Sequence, residues 1–431
     1  MEKLRPGRLL LVLASVSLLA ATDAHAQAAR LRLADLLAEA RAHNPDLSAA
    51  AARTRAAAAV PARVSALDDP VLSWEAWNAP ESLRIDEADN NIFRVSQKIP
   101  FFGKRALAAE VATRNAEMIA TEARGTELDV VAAVTRAYYE LWRAHRLIAV
   151  YTREKDLVQR VARIAEQKYG TSEVSQADVL RAEVELAHLL NRLQTATLAV
   201  KGAEADLRAT LSRPETDAFA VPEDPPPARL PMTLEEATAL AIAERPEIAA
   251  QRSAIAREDA GVRQAERARL PDFEFAFARF ENAHASDGFG AMASITIPIA
   301  QRGKYDAGVD EANAKLSLQK AELRRTEDRI RHEVATAYVR AETARAQHDL
   351  FASAHVPHAE QAFAVTESAY QTGAVDFLSL IDSLRQIEMV HTEHVEAQVE
   401  FERAYADLER AVGKELPRPV EAPSKGGHRH G

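Results

Sequence analysis

One block of this sequence occurs twice, at a nearly constant offset of about 201 residues. Leu33, Asn44-Pro45 and Asp69-Pro70 are echoed by Leu234, Arg245-Pro246 and Leu270-Pro271, and Trp74 by Phe275. Ile99-Pro100 followed by Gly103-Lys104 returns as Ile297-Pro298 followed by Gly303-Lys304, with two residues inserted. Val134-Thr135-Arg136-Ala137-Tyr138 returns as Val334-Ala335-Thr336-Ala337-Tyr338, Tyr169 as Tyr370, and Ser212 as Gly413. A run of matches at one offset is the mark of a tandem duplication. The repeated unit reads as a helix, a β-hairpin, a long helix, a turn and a returning helix.

The turn is the clearest part of the unit. Between Tyr370 and Asp382, Gly373 supplies the positive φ that ends one helix, and Asp376 is placed to cap the next. The equivalent turn spans Tyr169 to Arg181. Proline is absent from Gly103 to Lys168, so that stretch predicts a helix about 100 Å long at 1.5 Å per residue. A second helix is expected from Ser175 to Ser212. In the second copy Pro357 predicts a kink in the long helix. Near the N-terminus a helical pattern covers residues 32–68, with a proper start at Pro45 and a kink or break at Pro61.

Between the helices lie alternating segments. Leu72, Trp74 and Ala76 alternate with Ser73 and Glu75, and Phe93, Val95 and Ile99 with Arg94, Ser96 and Lys98, around a polar loop at 80–91. In the second copy Phe273, Phe275 and Phe277 alternate with Glu274, Ala276 and Ala278. Phe289, Ala291, Ala293, Ile295 and Ile297 alternate with Gly290, Met292, Ser294 and Thr296. Strands of about ten residues, apolar on one face and small or polar on the other, suit lipid outside and water inside a barrel. A soluble hairpin with one buried face would alternate the same way. Four strands cannot close a barrel, and open edges are not tolerated in lipid, so a membrane role requires oligomerisation.

The remaining signals set the compartment. Lys3, Arg5 and Arg8, the apolar run Leu9–Ala21 and Ala24-His25-Ala26 form a signal peptide cut after Ala26. With 27% charged and 47% hydrophobic residues the chain is neither disordered nor a bundle of membrane helices. A net charge of −10 with no basic patch argues against nucleic acid. Absence of cysteine excludes disulfides and an acylated N-terminal cysteine. The domain organisation is a signal peptide (1–26), a first repeat (27–213), a Pro-rich linker (214–232), a second repeat (233–416) and a C-terminal tail (417–431).

With these features in place the chain resembles the TolC family of outer-membrane efflux proteins over nearly its whole mature length. Asp69-Pro70, Leu270-Pro271, the run Gln97-Lys98-Ile99-Pro100-Phe101-Phe102-Gly103-Lys104-Arg105, Ala137-Tyr138 with Ala337-Tyr338, and Lys168–Leu180 carry the resemblance. It implies a homotrimer whose twelve-stranded β-barrel continues as an α-helical periplasmic tunnel in the outer membrane of a Gram-negative bacterium. It also implies two partners, a periplasmic adaptor (membrane fusion protein) and an inner-membrane transporter of the resistance-nodulation-division type. The Ile-Pro-Phe-Phe-Gly-Lys-Arg run is most similar to the CzcC-like, heavy-metal efflux branch. Ser172 departs from the family by replacing its usual turn glycine.

Candidate site residues follow. The resemblance makes the tip acids Asp382 and Asp178 gate candidates, three copies of Asp382 making a negative, cation-favouring constriction. A local alternative gives Asp178 a capping box with Ser175, and pairs Asp382 with Arg385. Helix-turn caps are Gly373, Asp376 and Ser175. Taking Gly373 as the turn centre puts His355 level with His391 and His358 opposite Glu388, with His394 one turn on; this set could hold Zn²⁺. Solvated surface histidines are the alternative, and the tail pair His428 and His430 reads as a free end. No nucleophile–base pair or phosphate loop is present in the sequence, so no enzyme and no cofactor are expected. A periplasmic adaptor or a structural coiled coil would be the rival readings, lacking the duplicated hairpins and the strands respectively.

Overall fold

The computed structural model describes residues 30–79, 81, 88–298 and 302–418. The signal peptide, the centre of the 80–91 loop and the histidines of the tail lie outside the described residues. Each repeat opens with two short helices: α1 (Leu33–His43) and α2 (Pro45–Ser65) in the first, α5 (Leu234–Glu244) and α6 (Pro246–Arg267) in the second. Asn44 caps α2, its side-chain oxygen accepting from the Asp46 and Leu47 N–H groups at 2.9 and 3.3 Å. Pro61 does not break α2, which runs on to Ser65. The missing N–H removes a single bond only one turn from the helix end, where little helix remains to be disrupted.

The strands β1 (Val71–Trp77), β2 (Asn90–Ile99), β3 (Asp272–Asn282) and β4 (Gly288–Thr296) form one antiparallel sheet in the order β1-β2-β3-β4. Trp74 pairs with Phe93, Val95 with Phe277 and Phe275 with Ala293, so paired residues carry the alternation across all four strands. Leu72, Trp74, Val95, Phe275, Phe277 and Ile295 share one exposed apolar face. The other face carries Ser73, Ser96, Ser294 and the ion pair between Arg94 and Glu75 at 2.9 Å. The junction between the repeats is β2 against β3. Among the described residues β1 and β4 each have one neighbour only.

Beyond the sheet stand the long helices. Gly103, at φ 86°, starts α3 (Lys104–Gly170), which returns as α4 (Gln176–Leu211). In the second repeat α7 (Arg302–Leu350) passes through a π-turn at Phe351–His355 into α8 (Val356–Gln371) and returns as α9 (Phe377–Val412). The π-turn explains a detail of the repeat. Tyr138 and Tyr338 lie 200 residues apart, Tyr169 and Tyr370 201 apart; the π-turn is where a helix houses one extra residue. Pro357 follows directly, so the expected irregularity occurs as a π-turn at this point.

Two apolar cores hold the helices. The larger joins α3, α4, α8 and α9 through Tyr138, Leu141, Val161, Leu189, Phe363 and Leu384; the smaller joins α5, α7 and α9 through Ile330, Val334, Phe401 and Tyr405. The linker is docked on the first core: Leu31 N–H donates to Val221 O at 2.9 Å, and Tyr138 Oη donates to Leu31 O at 3.0 Å. No helix among the described residues is long and apolar enough to cross a membrane.

Candidate functional site

The two hairpin ends lie side by side and are built alike. In the first, Glu173 N–H bonds Lys168 O at 2.9 Å and Ser172 N–H bonds Tyr169 O at 3.0 Å. In the second, Ala374 N–H bonds Ala369 O at 2.8 Å and Gly373 N–H bonds Tyr370 O at 3.1 Å. These are the paired bonds of a Schellman end, which requires a left-handed residue. Gly373 supplies it at φ 76°, and Ser172 takes the same place at φ 61°. Tyr370 is buried between the tips, edge-on to Phe377 at 5.7 Å and beneath the Lys168 ammonium at 5.2 Å.

The caps and acids separate by role. Asp376 accepts from Ser379 N–H at 2.9 Å and from Ser379 Oγ at 2.6 Å, and these bonds hold its carboxyl below the usual range. Asp178 closes a capping box: Ser175 N–H and Oγ donate to one carboxylate oxygen at 3.2 and 2.9 Å, and Arg181 donates to the other at 3.1 Å. Both of its oxygens are used locally. Asp382 is exposed, and its nearest cation, Arg385, stands at 3.9 Å while pairing instead with Glu185 of α4. A second pair, Arg192 of α4 with Glu388 of α9, lies further along the same groove. Burial pushes the Glu388 carboxyl up against the opposing pull of Arg192. The groove, about 470 Å³, is lined by Glu185, Arg192, Arg385, Glu388, Met389 and Thr392.

The expected histidine set is not brought together. His355 is exposed and sits edge-on to Phe351 at 4.8 Å; His358 is exposed as well. Glu388 faces Arg192. Because α9 starts only at Phe377, His391 meets Glu360 at 3.3 Å rather than His355. Its other ring nitrogen lies 2.7 Å from Glu154 of α3, a carboxylate with no solvent exposure. His394 is half-buried against the His348 ring at 5.3 Å, and burial holds its imidazole below the usual range. Among the described residues no three His, Asp or Glu side chains converge as a metal site.

Sequence reasoning missed the polar residues that tie the helices together. Glu154 stands among Tyr151, Val158, Val161 and Ala165 at three- and four-residue spacing, on the buried stripe of α3. Glu402 does the same on α9; Arg418, stacked 4.2 Å over the Tyr405 ring, is 2.5 Å from it. An acidic residue on an apolar stripe was the available signal.

The comparisons agree with this architecture. The family model described as "Outer membrane efflux protein" matches residues 36–213 and 238–414, one match to each repeat. The cobalt-zinc-cadmium resistance protein CzcC of Cupriavidus metallidurans is 22% identical over 390 residues, covering 89% of this chain and 90% of its own. Among solved structures, CusC superposes with a TM-score of 0.75 at 16% identity, over 89% of this chain and 92% of its own. The outer membrane protein VceC of Vibrio cholerae does so with a TM-score of 0.73 at 17% identity, over 89% and 96%. These matches set aside the adaptor and structural coiled-coil readings, which lack a sheet between duplicated hairpins. The chain belongs to the outer membrane efflux protein family, and is an outer-membrane efflux channel with a large periplasmic helical part rather than an enzyme.

Proposed function

We propose that the chain works as a homotrimeric exit duct, its three sheets closing a twelve-stranded barrel and its six hairpins a periplasmic tunnel. The observation that carries this reading is the sheet: one exposed apolar face and, among the described residues, two edges with no partner strand on the single chain. Open edges are costly in lipid, and closure between copies removes them. A periplasmic adaptor packs against the outside of the tunnel and an inner-membrane transporter of the resistance-nodulation-division type supplies the energy; the duct itself is passive. The tips form the gate. Asp382, left without a strong local partner, supplies the negative ring, and Arg385–Glu185 with Arg192–Glu388 latch the two hairpins of each copy.

The cargo is a heavy-metal cation. Similarity to CzcC, named for cobalt, zinc and cadmium resistance, supports this choice. The test is a deletion strain grown against cobalt, zinc and cadmium salts and against a panel of drugs. Sensitivity to the metals, reversed by the intact gene, is expected; sensitivity to drugs alone makes it a drug duct and removes the metal assignment.

A further inference from the structure

We infer that the turn joining β2 to α3 is a phospholipid-binding foot: Phe102 enters the border of the acyl chains in the periplasmic leaflet, and Arg267 takes the phosphodiester of the same lipid. This inference goes beyond the duct reading but rests on one part of it, that the apolar face of the sheet meets lipid.

The turn is built to hold a phenylalanine out. Phe102 is 78% exposed, the most exposed large apolar side chain among the described residues. A loose loop would fold such a ring back onto the protein, but this one is pinned. Asp272, at the start of β3, accepts from Phe101 N–H at 3.0 Å and from Lys104 Nζ at 2.9 Å. The same ammonium donates to Leu270 O at 2.7 Å, and Arg267, the last residue of α6, donates to Phe102 O at 2.9 Å. These four bonds to the second repeat fix the backbone that carries Phe102. The Arg267 guanidinium lies across Gly103, where an added Cβ would stand 2.6 Å from Nη1, and φ 86° disfavours a side chain in any case.

The foot continues the apolar face of the sheet. Phe273 shares the parity of Phe275 and Phe277, and the Phe101 ring stacks on Phe273 at 6.2 Å. Phe102 is edge-on to Phe101 at 5.9 Å, so three rings carry that face past the last paired residues, Ile99 and Phe273. A tilted strand of the ten residues of β2 spans the hydrocarbon, which sets the residues just past Ile99 at headgroup level, where aromatic rings collect. A second copy does not reach this place from the side, because β2 is flanked by β1 and β3 of its own chain.

Charge supplies the other half. Arg263 and Arg269, on either side of Arg267 in sequence, are neutralised by Glu110 and Asp306 at 2.7 and 2.8 Å. Arg267 is exposed and has no carboxylate partner among the described residues, and the Phe102 carbonyl occupies only one of its N–H groups. A guanidinium with N–H groups to spare, held beside an aromatic ring at headgroup level, matches a phosphodiester, whose two free oxygens accept parallel N–H bonds.

The chain has no cysteine, so a single spin label can be placed at will. Full-length protein carrying Phe102→Cys or, as a reference on the sheet, Phe277→Cys is labelled and reconstituted into vesicles of phosphatidylethanolamine and phosphatidylglycerol. Collision of each label with oxygen, which partitions into lipid, is compared with collision with a water-soluble nickel chelate. Both labels are expected to favour oxygen, the one at 102 less strongly because it lies shallower. A label at 102 that favours nickel, or is shielded from both reagents, overturns the foot while 277 favours oxygen. Nickel preference at both positions overturns the lipid face itself, and the foot with it. The phosphodiester contact is read by native mass spectrometry of the protein titrated with phosphatidylglycerol. Arg267→Gln is expected to weaken binding about fivefold, one cation's share at an anionic surface, and Arg269→Gln to leave it unchanged. Equal binding by Arg267→Gln and the natural protein overturns the contact. Inorganic phosphate is expected not to compete; competition would make this a free-anion site and overturn the lipid assignment.

Discussion

The Arg385 guanidinium of α9 is ion-paired with Glu185 of α4, across the groove between the two hairpins of one chain. Few other contacts join α4 to α9, whereas each hairpin is zipped by its own apolar stripe. Across this groove the charge pairs act beside the packing of Tyr370 on Phe377 and the apolar core shared by α3, α4, α8 and α9. Pairs of this kind, with the arginine exposed to solvent and salt, contribute about 0.2–1 kcal/mol each. Removing both with Arg385→Ala and Arg192→Ala should raise amide exchange of residues 372–390 by about fivefold, and 0.5 M salt should reproduce part of the effect. Unchanged exchange in the double variant would show the latch to be ornamental.

The left-handed residues of the tips give opposite predictions. Ser172 holds a conformation that costs a side-chain-bearing residue about 1–2 kcal/mol, so Ser172→Gly should stabilise the first tip by about 0.5–1 kcal/mol after the added chain entropy. Gly373→Ala should destabilise the second by about 1 kcal/mol through the backbone alone, since nothing lies within 4 Å of the added carbon. Local opening free energies from hydrogen exchange would read both.

Stability should depend on pH through Glu409. Burial pushes its carboxyl from the usual range up to about 7, against the Leu416 N–H that donates to it at 2.9 Å. The folded state thus holds the proton more tightly than the unfolded chain. The resulting stability is complete below pH about 4.5 and is lost as pH rises through 7, amounting to about 2–3 kcal/mol. Denaturation midpoints taken from pH 5 to 8 should fall for the natural protein and fall less for Glu409→Gln; parallel curves would contradict the assignment.

The histidines divide into structural and dispensable ones. His391→Ala strips the wholly buried Glu154 of its partner and should cost about 3 kcal/mol. His355→Ala with His358→Ala should leave both stability and Zn²⁺ binding, followed by calorimetry, unchanged. A lost binding isotherm in that variant would restore the metal set.

Most of the framework is legible in the sequence alone. The duplication, both turns, the caps at Ser175 and Asp376 and the alternating strands are local or periodic features, and each is stored in a short stretch of residues. What escaped was lateral. The register of one helix against another decides that His391 meets Glu154 and Glu360, and nothing within Phe377–Val412 records that choice. Measuring heights from Gly373 failed because the turn is lopsided: α8 ends two residues before the glycine and α9 begins four after it. Pro61 lies inside α2 without ending it, since the effect of a proline depends on how much helix remains beyond it. The π-turn, by contrast, was written in the sequence as the step from an offset of 200 to one of 201.

Ion conduction tests the central claim most directly. Full-length protein reconstituted into planar lipid bilayers should give discrete, cation-selective conductance steps, small in the natural protein and several-fold larger when Arg385→Ala and Arg192→Ala release the tips. Asp382→Asn should reduce the cation preference without closing the pore. Failure of every one of these proteins to conduct, at any voltage and with insertion verified, would contradict the duct.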